Sequence, residues 1–392
     1  MNILKLIIKR ILVSPLYFLS YIVPRNRNIW VMGSYAGGYN DNSKYLFIYI
    51  NECKNQLGIL PIWISNSEKT VNDIRSKGFK AYKKWSLLGV SYSLMAKVYV
   101  YSAYVDDINT WTSGSAFKIN LWHGIPLKKI EFDIKEGVLA PIFDRKLLSK
   151  IKYLSHYIKP DFVLSTSNKT SEIFASSFRV HQSQCLPFGY PRNTLLVNSE
   201  EDVTKFIDKY EPLYTKELVK KIKCFSRVYV YMPTWRDSGY DFFTEALPDL
   251  NKLNKKLHLE NRLLIIKAHA ATILEMTDTD FSNIIFFESN TDIYPILALS
   301  DCLITDYSSI LFDYMLSGKE IIFYAFDENR YLDGREMYFS YHELLSGQII
   351  IKTFEELFSL IGQDQSIRKI GQDLNNLIGK EKGCPNEKIV NT

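Results

Sequence analysis

Short runs rich in β-branched and aromatic residues alternate along this chain with longer stretches whose apolar positions recur at helical spacing. Strands are predicted over 28–32, 60–64, 96–101, 118–122 and 161–165, then over 227–232, 262–267, 283–287, 300–304 and 320–326, with helices between them. That alternation belongs to parallel α/β sheets. A charged, helix-like stretch from Glu200 to Lys223 separates the two sets of strands. The fold predicted is therefore two Rossmann-like domains with parallel sheets, 25–199 and 227–385, joined by a linker helix over 200–226. A helix-like segment near 365–380 is placed to cross back to the first domain.

The first 24 residues carry a different pattern. Over 3–13, Lys5, Lys9 and Arg10 fall on one side of a helix and Leu4, Ile7, Ile8 and Ile11 on the other, and an apolar stretch continues to Val23. The uncharged part, Ile11 to Pro24, is short for a bilayer span, and no small-residue cleavage site follows it. An amphipathic helix lying in a membrane interface is expected over 1–24; a helix docked on the protein's own core is the alternative.

Composition narrows the classes. With 392 residues, 46% of them hydrophobic, the chain can bury the cores of two domains and is neither disordered nor fibrous. The net charge of +5 is too mild to imply nucleic-acid binding, though it suits a polyanionic acceptor or an anionic membrane. Five scattered cysteines without Cys-x-x-Cys spacing indicate neither a disulfide framework nor a zinc site, so the chain reads as facing the cytoplasm.

The polar motifs nearly all follow predicted strands, which would bring them to one cleft at the carboxyl ends of the sheets. In Thr305-Asp306-Tyr307-Ser308-Ser309, a strand ending at Ile304 delivers hydroxyls and free backbone N–H groups to the first turn of a helix, a setting that favours an anion. Arg236, in Pro233-Thr234-Trp235-Arg236-Asp237, offers a planar fork for a phosphate. His123, after a buried-looking strand and before Gly124, could take a proton from a hydroxyl near neutral pH. The same residues also admit plainer roles, a helix N-cap for Ser308 and a surface ion pair with Asp237 for Arg236, and Asp41-Asn42-Ser43-Lys44 fits equally a part in fixing the acceptor or closing the cleft and a plain loop with a helix cap. Asp278-Thr279-Asp280 has the Asp-x-Asp form of a metal motif but follows no strand and reads as a surface loop. No metal site and no cofactor are predicted.

Five stretches taken together resemble the CDP-glycerol glycerophosphotransferase family, the builders of teichoic acids and related polyol-phosphate polymers. They are Gly33-Ser34 with Asp41-Asn42-Ser43-Lys44-Tyr45; Trp122-His123-Gly124-Ile125-Pro126-Leu127-Lys128-Lys129; Gly189-Tyr190-Pro191-Arg192-Asn193; Pro233-Thr234-Trp235-Arg236-Asp237; and Thr305 to Tyr314. Ala270 after His269 departs from the family's usual His-Pro. The resemblance implies a GT-B-type architecture and transfer of glycerol phosphate, or another polyol phosphate, from a CDP-activated donor to a hydroxyl of a lipid-linked or polymer acceptor, with CMP released at the cytoplasmic membrane face. It implies a catalytic pair, His123 and His269, with Arg236, Thr305, Asp306, Ser308 and Ser309 on the donor phosphates, supported by Gly124, Lys128, Thr234 and Asp237. Two alternatives stay open on the residues: a nucleotide-sugar glycosyltransferase of polysaccharide assembly, and a non-catalytic protein that binds anionic polymer at a membrane surface.

Overall fold

The computed structural model describes residues 3–234, 236, 242–267, 281–333, 336–363, 372–379 and 384–392, the side chains of 3–9, 11, 372, 373 and 375 excepted. The chain divides into two compact units, one formed by 1–125, 129–192 and 376–392, the other by 126–128 and 193–375.

Among the described residues the first unit is built on a seven-stranded parallel sheet, β1 (Asn26–Gly33), β2 (Leu60–Ser65), β3 (Ala81–Lys83), β4 (Ala96–Tyr101), β5 (Phe117–Asn120), β6 (Phe162–Leu164) and β7 (Cys185–Leu186), in the order β3-β2-β1-β4-β5-β6-β7. The second is built on β8 (Arg227–Met232), β9 (Arg262–Ile266), β10 (Ile284–Phe286), β11 (Cys302–Thr305), β12 (Glu320–Tyr324) and β13 (Ile350–Ile351), in the order β10-β9-β8-β11-β12-β13. In both, strand order reverses beside the first strand, the Rossmann arrangement in which ligands bind beyond the carboxyl ends of the strands.

Parallel strands covered by helices are buried on both faces, so their sequences are apolar throughout rather than alternating. Val31, Met32, Ile62, Trp63 and Ile64 of the first sheet, and Val230, Leu263, Ile265 and Ile266 of the second, are fully buried. Local signals start the covering helices. Ser67, Ser86, Ser167 and Ser199 each accept a backbone N–H in the first turn of the helix they precede, and Thr353 and Glu356 form a reciprocal capping box.

The stretch expected as a linker is two helices, Glu200–Tyr210 and Leu213–Ile222. Their faces, including Val203, Ile207, Leu218 and Val219, are buried in the second unit. At the other end of the chain, 376–392 belongs to the first unit, where Thr166 Oγ1 donates to the Leu377 carbonyl at 2.7 Å.

The N-terminal helix runs from Ile3 to Ile22, through Pro15. Its carboxyl end is built into the first unit. Ser20 is fully buried, its Oγ accepts the Gly114 N–H at 2.9 Å, and Arg25 donates to the carbonyls of Ser20, Ser93, Ala96 and Thr112. Leu12, Phe18 and Ile22 of the same helix are 74%, 70% and 76% exposed. The expected amphipathic face of Lys5 and Lys9 against Leu4, Ile7, Ile8 and Ile11 lies outside the described side chains. Among the described residues, no helix is long and apolar enough to cross a membrane.

Candidate active site

In the first unit the loops after β1, β4 and β5 meet around His123. The β5 strand ends at Asn120, two residues earlier than the sequence predicts, because Trp122 takes a left-handed conformation (φ 51°) that no strand accommodates. That turn is held by side chains. Asn120 Oδ1 accepts the Trp122 N–H at 2.9 Å, and Asn42 Nδ2 donates to the Trp122 carbonyl at 2.9 Å. Gly124 follows at φ 146°, in the region a side chain disfavours.

The imidazole of His123 lies against the Trp122 indole, ring centres 4.0 Å apart, and its Nδ1 is 3.2 Å from the Ser102 carbonyl at the end of β4. A carbonyl can only accept, so Nδ1 carries the proton and the neutral ring keeps Nε2 as its base. Solvent reaches the residue, yet the protein packed around the ring desolvates it and lowers its pKa below the ordinary value of 6.5; the Asp41 carboxylate and the Ser102 carbonyl push the other way, and Arg192 adds to the lowering. Arg192 donates from Nη2 to the His123 carbonyl at 3.0 Å and from Nη1 to Asp41 Oδ1 at 2.6 Å.

Behind this loop sit two buried carboxyl groups that no sequence motif marks. Asp107 accepts the Ser102 and Ala103 N–H groups, and Glu131 accepts the Tyr104 hydroxyl at 2.7 Å; burial raises each to about 7. His156 lies against Tyr104, ring centres 3.9 Å apart, and burial, which disfavours its charged form, lowers its pKa.

In the second unit the turns after β8 and β11 flank the point where strand order reverses. Arg236, 3% exposed, is held by two carboxylates. Its Nε and Nη2 fork onto Asp327 at 2.7 and 2.8 Å, Nη2 also reaches Asp306 at 2.9 Å, and Nη1 donates to the Thr234 carbonyl. Phe242, Tyr307, Phe326 and Tyr331 surround the guanidinium, with ring centres 4.8–5.6 Å away. Burial alone would lower the Arg236 pKa, but its hydrogen bonds and charge pairing with Asp327 and Asp306 outweigh that and raise it.

Asp306, fully buried, also accepts the Thr234 N–H, the Thr234 hydroxyl (2.6 Å) and the Tyr307 N–H (2.6 Å), and Thr305 Oγ1 donates to the Met232 carbonyl at 2.8 Å. The sequence assigned Arg236, Thr305 and Asp306 to donor phosphates; the structure gives all three partners within the protein, and together they brace the two turns. Ser308 and Ser309 are half-buried at the start of the short helix Ile310–Met315, where Ser308 Oγ accepts the Ile310 N–H at 3.5 Å. Asp313 in that helix accepts from Tyr294 and Asn193 and anchors it.

Lys128 belongs to the second unit, pairs in a bridge with Met337 and lies over Tyr331, which stacks on Tyr307 at 4.0 Å. The structure therefore groups Lys128 with the Arg236 cluster, five residues past His123 though it is. His269, Asp237 and the Asp278-Thr279-Asp280 run lie outside the described residues. Asp327 was missed because its role depends on a partner 91 residues away; its place just after β12 was the available signal.

Comparison with known proteins supplies the chemistry that such sites serve. Residues 15–392 match the profile of the CDP-glycerol:poly(glycerophosphate) glycerophosphotransferase family. The teichoic acid poly(glycerol phosphate) polymerase of Bacillus spizizenii is 26% identical over 384 residues, covering 94% of this chain and 92% of that protein. The teichoic acid glycerol-phosphate transferase of Staphylococcus aureus is 27% identical over 348 residues, covering 83% and 81%. A solved structure of a histidine variant of the wall teichoic acid polymerase TagF superposes with a TM-score of 0.75 at 24% identity, covering 98% of this chain and 94% of that one, a likeness of fold. The chain belongs to the CDP-glycerol:poly(glycerophosphate) glycerophosphotransferase family and is an enzyme of polyol-phosphate transfer from a CDP-activated donor.

Proposed function

We propose that the protein transfers glycerol phosphate from CDP-glycerol to a hydroxyl of a lipid-linked or growing polyol-phosphate acceptor, releasing CMP. His123 takes the proton from the attacking hydroxyl through Nε2. The oxygen so activated attacks the glycerol-bearing phosphorus in line, and the bond from that phosphorus to the oxygen bridging to CMP breaks. Ser308 and Ser309 donate hydrogen bonds to the donor phosphates, and His269 assists there. Arg236, Asp306 and Thr305 hold the turns that present the serines, a support that costs no reorganisation as negative charge shifts toward the leaving group.

The observation that carries this reading is the Nδ1 contact of His123 with the Ser102 carbonyl, which leaves Nε2 the acceptor. Desolvation, by lowering the pKa, keeps that nitrogen unprotonated at neutral pH. The test is His123→Ala assayed with labelled CDP-glycerol and a lipid-linked acceptor. Turnover should fall by about 10²–10⁴-fold while CDP-glycerol still binds, because proton transfer counts only in the transition state. Full turnover in that variant would refute the mechanism. In the wild type the acid limb of the pH–rate profile should lie below the ordinary histidine pKa, and competition by UDP-sugars instead of CDP-polyols would favour sugar transfer.

We also propose that the enzyme works at the cytoplasmic face of a membrane, where a lipid-linked acceptor is presented. Leu12, Phe18 and Ile22 of the N-terminal helix support this: they are exposed on an element whose carboxyl end is built into the first unit.

A further inference from the structure

We propose that Asp41 and Arg192 form a positioning pair for His123, an ion pair that, with Asn42, holds the loop carrying the imidazole in place. The inference rests on His123 being the base proposed above.

Three segments far apart in sequence carry it. Asp41 opens the helix Asp41–Glu52 just after β1, and Arg192 lies in the turn Pro191–Asn193. Their ion pair, 2.6 Å long, has side chains only 18% and 6% exposed, so water screens it far less than a surface pair. Arg192 uses its other Nη on the His123 carbonyl and its N–H on Asn42 Oδ1 (3.3 Å), while Asn42 Nδ2 reaches the Trp122 carbonyl. The peptides on both sides of the His123 Cα are thus tied to residues 42 and 192. They need to be: a tryptophan at φ 51° persists only where its surroundings impose it.

Of the charged groups around the ring, Asp41 raises its pKa and Arg192 lowers it. From the element after β4 comes the Ser102 carbonyl, whose peptide N–H, that of Ala103, donates to Asp107 at 2.8 Å, so Asp107 bears on the ring through that peptide. From the ring's own loop comes the Trp122 indole, which is uncharged.

The opposed signs make the test specific. The His123 titration midpoint is read by NMR of the isotopically labelled imidazole in the full chain, alongside the acid limb of turnover. Asp41→Asn removes the anion and leaves the cation, and asparagine tolerates the φ of 61° at this position. Its midpoint should fall by at least about 0.5 pH unit, and in Arg192→Gln it should rise by a similar amount. In the double variant the midpoint should return near that of the wild type while turnover stays low, because the His123 carbonyl has lost its donor.

If Arg192→Gln fails to fold, Arg192→Lys supplies the second arm, keeping the charge but losing the fork: midpoint unchanged, turnover down by about tenfold or more. Midpoints that stay put in all variants, or move in the same direction in both single variants, would overturn the proposal. Should the NMR midpoints move as stated while the acid limb of turnover does not follow, the pair stands and His123 is not the base.

Discussion

Replacing Arg236 by alanine separates a bracing role from a ligand role for this residue. The change deletes a cation that is 3% exposed and leaves the Asp306 and Asp327 carboxylates, 0% and 5% exposed, without it. Three charge-assisted hydrogen bonds of 2.7–2.9 Å go with it, as do the contacts with four aromatic rings. Removing one partner of a buried ion pair costs about 3–5 kcal/mol, and with two carboxylates losing their cation the upper end applies. For a unit the size of 193–375 each kcal/mol is worth about 2–4 °C, so its transition should drop by roughly 10–20 °C. Scanning calorimetry of the full chain reads this directly, and Arg236→Lys, which keeps the charge without the fork, should fall between the two. An alanine variant that melts within about 2 °C of the wild type yet loses CDP-glycerol affinity would refute the bracing argument and return Arg236 to the donor phosphates.

The paired change Ser308→Ala/Ser309→Ala should weaken CDP-glycerol and CMP binding by roughly 10- to 150-fold, the equivalent of one charge-assisted hydrogen bond of about 1.5–3 kcal/mol; calorimetric titration showing wild-type affinity would remove these serines from the site. Glu131→Gln should stabilise the protein at pH 8 and do nothing at pH 4. The folded-state pKa of about 7 exceeds the ordinary 4.5, so the native state binds the proton more tightly and the wild type loses stability as pH rises between those values, on the order of 3 kcal/mol in all. Urea titrations at both pH values test it, and equal effects at the two would contradict the assigned burial penalty. Leu12→Glu, Phe18→Glu and Ile22→Glu together should abolish sedimentation with anionic vesicles and leave the melting temperature unchanged, since each apolar side chain inserted is worth about 1.5–3 kcal/mol. Undiminished sedimentation would argue that this helix is not the membrane contact.

Much of the architecture was legible from local pattern alone. Strands such as 96–101 and 227–232 carry runs without a charge, Val98–Tyr101 and Val228–Met232, because both their faces are covered, and such runs survive any reading of the chain. Edge strands of two or three residues, Ala81–Lys83, Cys185–Leu186 and Ile350–Ile351, left no such trace. The stretch 200–223 read as a linker because charge dominates it, but its apolar stripe at helical spacing is what the second unit buries. Polar residues placed just after strands flagged His123 and the Ser308-Ser309 turn, because backbone order and local chemistry coincide there.

What those residues do to one another was decided by the tertiary fold. Asp41 and Arg192 are 151 residues apart, and Arg236 and Asp327 are 91 apart; nothing in either local stretch specifies the partner. The arginine that looks in sequence like a phosphate ligand is folded between two buried carboxylates, and the histidine that looks like a base gains its tautomer from a backbone carbonyl 21 residues earlier. Hydrophobic periodicity is a property of neighbours along the chain and so is written in it, whereas the charge, burial and hydrogen bonding that set a side chain's chemistry come from whichever segments the sheets bring beside it.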